Sequence, residues 1–333
     1  MASATLEITL EAQGFPPNHR YDLLQPLLQG RVEVQGVMLK PSAPLQSAGY
    51  FDNPKFRSGD FGLLDTNVGD VLPAIEAGWD MACLPVFNKR KPVYNYLWVR
   101  ADRGIDSPQD LEGKTLATVG YASSISTYSR GLLQRFHGVD LTKLRWLLPA
   151  AGRFPLHRGI EAQVAVATGE RKSPVQRLLD GEVDGSTGDI TDAAAWAALE
   201  SSGSVKRLFP DYQQLNRRLW DEHRVFTPTH VIVMGGRLDR EHPGLARRLY
   251  DAFVRSKELA LSDALGDGTS YSMLIGAREA MRDQLASWGD VYPFGVEANR
   301  NTIEWFLDFN PEQGITRERL TADRVFARST LNT

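Results

Sequence analysis

The sequence predicts a two-lobed α/β protein with a ligand cleft between its lobes, and three observations carry this expectation. The chain has 333 residues, more than one hydrophobic core usually serves, so two compact units are favoured. Strand-like and helical segments alternate through its middle, the pattern of a mostly parallel sheet with loops gathered at the strand ends. Strand-like segments near Trp98 and His230 are placed to cross between lobes, giving one lobe from 1–98 with 229–333 and a second from 99–228.

Taken in order, Leu6 to Leu10 alternates polar and apolar residues and reads as a strand. The loop Gln13 to Arg20, rich in turn formers, places His19 where polar groups often face a ligand. Tyr21 to Gln29 reads as a helix ended by Gly30, and Val32 to Leu39 as a strand. The apolar Phe61 to Leu64 leads through Asp65-Thr66-Asn67 into a helix over 68–77. Met81 to Phe87 reads as a buried strand and Tyr94 to Val99 as another. Ser107-Pro108 and Ser173-Pro174 open helices, since serine caps free N–H groups and proline tolerates the first helical position. These helices end at Gly113 and Gly181, before strands over 114–120 and 182–186. A helix over 123–136, a strand over 229–234 and a helix over 244–261 with Leu245, Leu249 and Phe253 on one face complete the pattern.

Composition narrows the partners. With 42% hydrophobic and 24% charged residues the chain is an ordinary globular protein. A formal charge of -3 gives no general attraction to nucleic acid or an anionic membrane, so an anion site has to be built locally. The first ten residues lack the basic and apolar regions of a signal peptide, and no apolar run approaches the ~20 residues of a membrane helix, so a cytoplasmic protein is expected. Cys83 is the only cysteine, which excludes an intrachain disulfide. No metal-ligand spacing, Gly-Lys-Ser/Thr loop or Gly-x-Gly-x-x-Gly occurs, so neither metal nor nucleotide nor flavin cofactor is expected. A small carboxylate is the expected partner, in a monomer or a homo-oligomer.

Several residues are candidates for chemistry, each with a plainer role beside it. Ser123 and Ser124, in Gly120-Tyr121-Ala122-Ser123-Ser124 before a helix, suit either a carboxylate site or a helix cap. His230 opens an apolar strand and reads as a proton-transfer group or as a satisfied core histidine. Asp65, Asn67 and Asp189 suit either strand-end polar groups facing the cleft or simple caps. Lys89-Arg90-Lys91 can attract a dianion or be a solvated face.

The run from Tyr292 to Leu307, Tyr-Pro-Phe-Gly-Val-Glu-Ala-Asn-Arg-Asn-Thr-Ile-Glu-Trp-Phe-Leu, followed by Glu312-Gln313-Gly314-Ile315, resembles the bacterial 4,5-dihydroxyphthalate decarboxylase family. Tyr21-Asp22, Gly30-Arg31-Val32, Pro85-Val86-Phe87, Asp110 to Lys114, Arg130 to Gln134, Leu208 to Tyr212 and His230 to Val233 agree with it in order, so the resemblance spans almost the whole chain. It implies a type II periplasmic-binding-protein-like fold with a hinge cleft, and cofactor-independent decarboxylation of a hydroxylated aromatic carboxylate such as 4,5-dihydroxyphthalate. On that reading His230 transfers the proton and Asp65 is a second proton carrier or an orienting carboxylate. Arg90, Ser123 and Ser124 hold carboxylate oxygens, Tyr94 and Asn95 set the ring position, and Asn67, Tyr121, Asp189 and His19 complete the substrate site. The chain departs from the family where Val93-Tyr94-Asn95 replaces Arg-His-Ser, where Val119-Gly120-Tyr121 replaces Pro-Glu-Tyr, and where Asp65 replaces a glutamate. The alternative is a cytoplasmic solute-binding or sensor protein that closes on a small aromatic or carboxylate ligand without chemistry. A third reading is another bond cleavage on an aromatic acid.

Overall fold

In the computed structural model, which describes residues 5–12, 22–42, 52–188, 190–266 and 274–333, the strands gather into two sheets. The first runs, edge to edge, β2 (Val37–Pro41), β1 (Leu6–Ala12), β3 (Leu63–Asn67), β11 (Pro228–Gly235) and β4 (Met81–Arg90). The second runs β10 (Val205–Arg207), β5 (Leu97–Arg100), β9 (Gly185–Thr187), β6 (Thr115–Ala117), β7 (Arg145–Leu148) and β8 (Val164–Val166). The chain thus leaves the first sheet after Arg90, enters the second at Leu97 and returns at Pro228. β11 inserts antiparallel between β3 and β4, and all its residues are buried.

The helices up to the return strand are α1 (Gln25–Leu28), α2 (Pro54–Ser58), α3 (Val68–Glu76), α4 (Ser124–His137), α5 (Pro174–Leu179), α6 (Ala193–Ser201) and α7 (Tyr212–His223). After it come α8 (Gly236–Glu241), α9 (Leu245–Leu265), α10 (Ala277–Trp288), α11 (Arg300–Glu312) and α12 (Ala322–Val325). α9 turns Leu245, Leu249, Ala252 and Phe253 inward, and these meet Leu10, Leu63 and Ile232 of the first sheet. α11 packs on α4 of the second lobe, so the C-terminal segment ties the two lobes together. The approach is close because Gly131 carries no side chain: a Cβ there would lie 2.5 Å from the Phe309 ring. Tyr128 stacks on Phe306 and donates its hydroxyl to the Thr302 carbonyl at 2.5 Å.

Local departures from the sequence reading have physical reasons. β2 begins only at Val37, because Gly36 adopts a left-handed turn (φ 70°) and its carbonyl accepts from Leu6 N–H; Val32 and Val34 are buried without being in the strand. Residues 22–24 form a 3-10 turn that leads into the single turn α1, which contains Pro26. Val93–Tyr96 is likewise a 3-10 turn, and the strand follows it. Ser173 caps α5 by accepting from Gln176 N–H at 3.1 Å, as its Ser-Pro signature predicts. Among the described residues no helix is long and apolar enough to cross a membrane.

Candidate active site

The β3–β11 pair sets the site. Its register places His230 opposite Asn67 and Ile232 opposite Asp65, so Asp65 and His230 share one face of the sheet as diagonal neighbours. His230 Nδ1 lies 2.8 Å from Asp65 Oδ1. The carboxylate is fully buried and the histidine 7% exposed. Leu63 and Ile232, the neighbours of Asp65 on the same face of the sheet, are buried and apolar. Among the described residues, Asp65 Oδ2 is buried without a hydrogen-bond partner. Leaving such an oxygen unmatched costs about 1 to 3 kcal/mol or more, so this position is not optimised for stability. Pairing with β4 shifts register on both sides of His230, an irregularity of the kind that re-aims a side chain near functional sites.

A contact between Nδ1 and the carboxylate fixes the orientation of the imidazole ring. Asp65, sealed from solvent, suits the orienting role better than that of a second proton carrier.

The second lobe meets this pair at the start of α4. Asn67 Oδ1 accepts from Gly69 N–H at 2.9 Å, capping α3, and from Ser124 N–H at 3.2 Å across the lobes. Ser124 Oγ donates to the Thr229 carbonyl at 3.5 Å. Ser123 occupies the cap position of α4, but its hydroxyl donates to Ser126 Oγ at 2.8 Å instead of capping, and Ser126 bonds Thr118 Oγ1.

Beside Asn67 opens a cleft of about 490 Å³ whose walls include Tyr121 and Ser123. Arg130 fixes Tyr121: its guanidinium donates to the Tyr121 carbonyl at 2.5 Å and lies 3.8 Å from the ring centroid. Its Nε donates to Gln313 Oε1 at 2.8 Å. Burial lowers the Arg130 pKa to about 10. The far wall comes from the β7–β8 loop and brings Arg153, Phe154 and Glu161, facing Asp70 of α3. The sequence reading missed these four; Arg153 and Phe154 lie in the loop Ala150-Ala151-Gly152-Arg153-Phe154-Pro155, which has no periodicity to place its side chains.

Four expected ligand contacts lie elsewhere: Ser124 is fully buried and does not line the cleft, and the other three are engaged away from it. Arg90 is buried and donates to the carbonyls of Phe226 and Pro293, each at 2.8 Å, and to Asn299 Oδ1. Burial lowers its pKa to about 10, and its role is to tie β4 to the C-terminal segment. Tyr94 bonds His137 Nε2 at 3.2 Å and packs edge-on against Phe209, with burial raising its phenol pKa. Asn95 Oδ1 accepts from Asn216 Nδ2 at 2.8 Å. None of these three lines the cleft. His19 and Asp189 lie outside the described residues.

No protein-family model matches the chain. It is 26% identical over 321 residues to the 4,5-dihydroxyphthalate decarboxylase of Comamonas testosteroni, covering 93% of this chain and 95% of that protein. A second similar protein, the 4,5-dihydroxyphthalate decarboxylase of Pseudomonas putida, is 27% identical over 128 residues, 38% of this chain and 49% of the relative. Similar solved structures include the periplasmic sulfonate-binding protein SsuA of Methylobacillus flagellatus KT, with 12% identity, TM-score 0.58, and coverage of 97% of this chain and 92% of that one. The periplasmic aliphatic sulphonate binding protein SsuA of Escherichia coli has 15% identity, TM-score 0.53, and coverage of 98% and 99%. The fold is therefore two-lobed and periplasmic-binding-protein-like, as the sequence led us to expect.

Proposed function

We propose, from the premise that this chain is a relative of the 4,5-dihydroxyphthalate decarboxylases on a periplasmic-binding-protein-like fold, that it decarboxylates a hydroxylated aromatic carboxylate. The observation that carries the proposal is the buried Asp65–His230 pair, one cross-strand step from the cleft-lining Asn67. The lobes we propose, 1–98 with 229–333 and 99–228, put that pair on one side of the substrate and Tyr121 and Ser123 on the other.

In this reading the ring is its own electron sink. A hydroxyl ortho or para to the carboxylate releases electron density, and the carbon bearing the carboxylate takes a proton from His230 Nε2. The bond to the carboxylate then breaks, its electron pair restores aromaticity, and carbon dioxide leaves. His230 regains a proton from the ring hydroxyl or from water. Asp65 holds the ring of His230 through Nδ1 and supports the imidazolium that gives the proton from Nε2. Closure of the lobes keeps the site dry. No cofactor takes part in this sequence.

The test is a thermal-shift screen against aromatic mono- and dicarboxylates, with each stabilising compound then assayed for carbon dioxide and product. With 4,5-dihydroxyphthalate the expected product is 3,4-dihydroxybenzoate. Tight binding with no carbon dioxide released from any hydroxylated acid would replace the enzyme reading with a binding protein.

A further inference from the structure

We propose that Asn88 binds the carboxylate that leaves, as a neutral hydrogen-bond donor on the flank of His230 opposite to Asp65. This deepens the reading of the Asp65–His230 pair as the reaction site and rests on it.

Asn88 lies near the end of β4 and is 1% exposed. Among the described residues it is the only side chain with two polar atoms, Oδ1 and Nδ2, that are both buried and both without a hydrogen-bond partner. A leucine of similar size would leave nothing unmatched there, so stability alone does not account for an amide at this position. Asp65 Oδ2 and Thr227 Oγ1 are buried and unmatched as well. The unmet polar groups thus gather where β3 and β4 end and β11 begins.

The register puts Asn88 beside His230. On one side of β11 His230 lies opposite Asn67 of β3, and on the other opposite Lys89 of β4, the residue after Asn88. Between the pairs Ile232–Leu84 and His230–Lys89 the two strands advance by different numbers of residues, so β4 breaks its alternation of faces in this stretch. Val86 still packs on the side of Leu63 and Ile232, and Phe87 on the other side with Val231 and Val233. The Arg90 guanidinium lies over the Phe87 ring at 5.3 Å, so residues 87 and 90 share a face and the break falls between them. Asn88, following Phe87, therefore turns to the face of Ile232, which Asp65 and His230 share.

A neutral donor suits a leaving carboxylate. In the proposed reaction this group surrenders its negative charge as carbon dioxide, and a cation held against it would stabilise the bound substrate more than the transition state. An amide N–H orients the group by one directional bond and loses less as the charge departs. Arg90, two residues further along β4, is committed to the carbonyls of Phe226 and Pro293 and to Asn299. No bond is made or broken at Asn88 itself.

The experiment compares wild type with Asn88→Leu, which keeps the size and removes the amide, and with Asn88→Asp, which puts an anion in its place. Each full-length protein is assayed for kcat/KM with 4,5-dihydroxyphthalate and for inhibition by 3,4-dihydroxybenzoate, the product without the leaving carboxylate. Asn88→Leu should hold or raise Tm, lower kcat/KM by about tenfold or more, and leave the inhibition constant unchanged. Asn88→Asp should lower kcat/KM further. Wild-type kcat/KM in Asn88→Leu, or equal weakening of kcat/KM and product inhibition, overturns the assignment and leaves the decarboxylase reading intact. Loss of the fold in both variants, read by circular dichroism, makes the amide structural and also overturns it. If wild type releases no carbon dioxide, the affinities of wild type and Asn88→Leu for 4,5-dihydroxyphthalate are measured by calorimetry. Weaker binding by the variant then supports the binding role and overturns only the decarboxylase reading, whereas equal binding, or none by either protein, overturns both.

Discussion

Across the β3–β11 pair, His230 Nδ1 lies 2.8 Å from Asp65 Oδ1, while the second oxygen of the same buried carboxylate has no hydrogen bond among the described residues. Two residues 165 positions apart thus form one buried polar unit. A core histidine kept for stability alone would be better served by a carbonyl than by a buried carboxylate with an unmatched oxygen.

This arrangement separates activity from stability in Asp65→Asn. The neutral amide is cheaper to bury than a carboxylate, so the melting temperature should hold or rise. Its amide no longer fixes Nδ1 as the protonated nitrogen, so turnover should fall by roughly 10²-fold or more. His230→Gln should keep ligand affinity and slow single-turnover decarboxylation by roughly 10²-fold or more. A destabilised His230→Gln variant with normal turnover would remove the histidine from the mechanism.

Gly69 tests the meeting of the lobes. An added Cβ would lie 1.9 Å from the Ala122 carbonyl oxygen and 2.8 Å from the Ser124 nitrogen, both backbone atoms that cannot rotate away. Gly69→Ala should therefore hold the lobes apart, raising the radius of gyration in small-angle scattering and raising KM. Gly203→Ala, where a Cβ meets nothing within 4 Å, is the control. Unchanged scattering and kinetics in Gly69→Ala would mean that the contact is not part of the closed state.

The sequence made the individual residues of this site easier to read than their meeting. Asn67 was legible as a polar group at a strand end and is a cap, but its second bond, to Ser124 N–H, depends on a lobe contact that no local pattern encodes. Asp65 and His230 stood out separately, because each interrupts an apolar strand. Their pairing needed β11 to insert beside β3, a connection made after the whole second lobe. Arg90 misled because a run of three cations resembles a solvated or anion-binding loop. It lies instead at the end of β4, with its side chain buried among carbonyls. The lobed architecture was more legible than strand limits, since alternation of elements survives errors of a few residues at each end.

Because the ring supplies the electron sink in the proposed reaction, prolonged dialysis and treatment with a strong chelator should leave kcat and KM unchanged. Loss of activity that only an added divalent ion restores would show that the proposed chemistry is incomplete.

The pH dependence of stability has one well-defined contributor at the edge of the first lobe. Asp80 makes two bonds of 2.7 Å to the Arg240 guanidinium, and its own carbonyl accepts from Gly236 N–H at 2.9 Å. The hydrogen-bonded guanidinium holds the Asp80 carboxyl below its ordinary range. A carboxyl whose pKa is lower folded than unfolded binds fewer protons in the folded state, so stability rises with pH through that interval. Its contribution is complete above the unfolded pKa of about 4 and is lost as pH falls through the lower, folded value. The pair is largely solvent-screened, so Asp80→Asn should lower the melting temperature at pH 7 by only about 1 to 3 °C. That difference should persist at pH 5, narrow below about pH 4, and shrink in 1 M salt. Scanning calorimetry of both proteins at pH 7, 5, 4 and 3 checks it, and a gap that widened toward pH 3 would contradict the assigned sign.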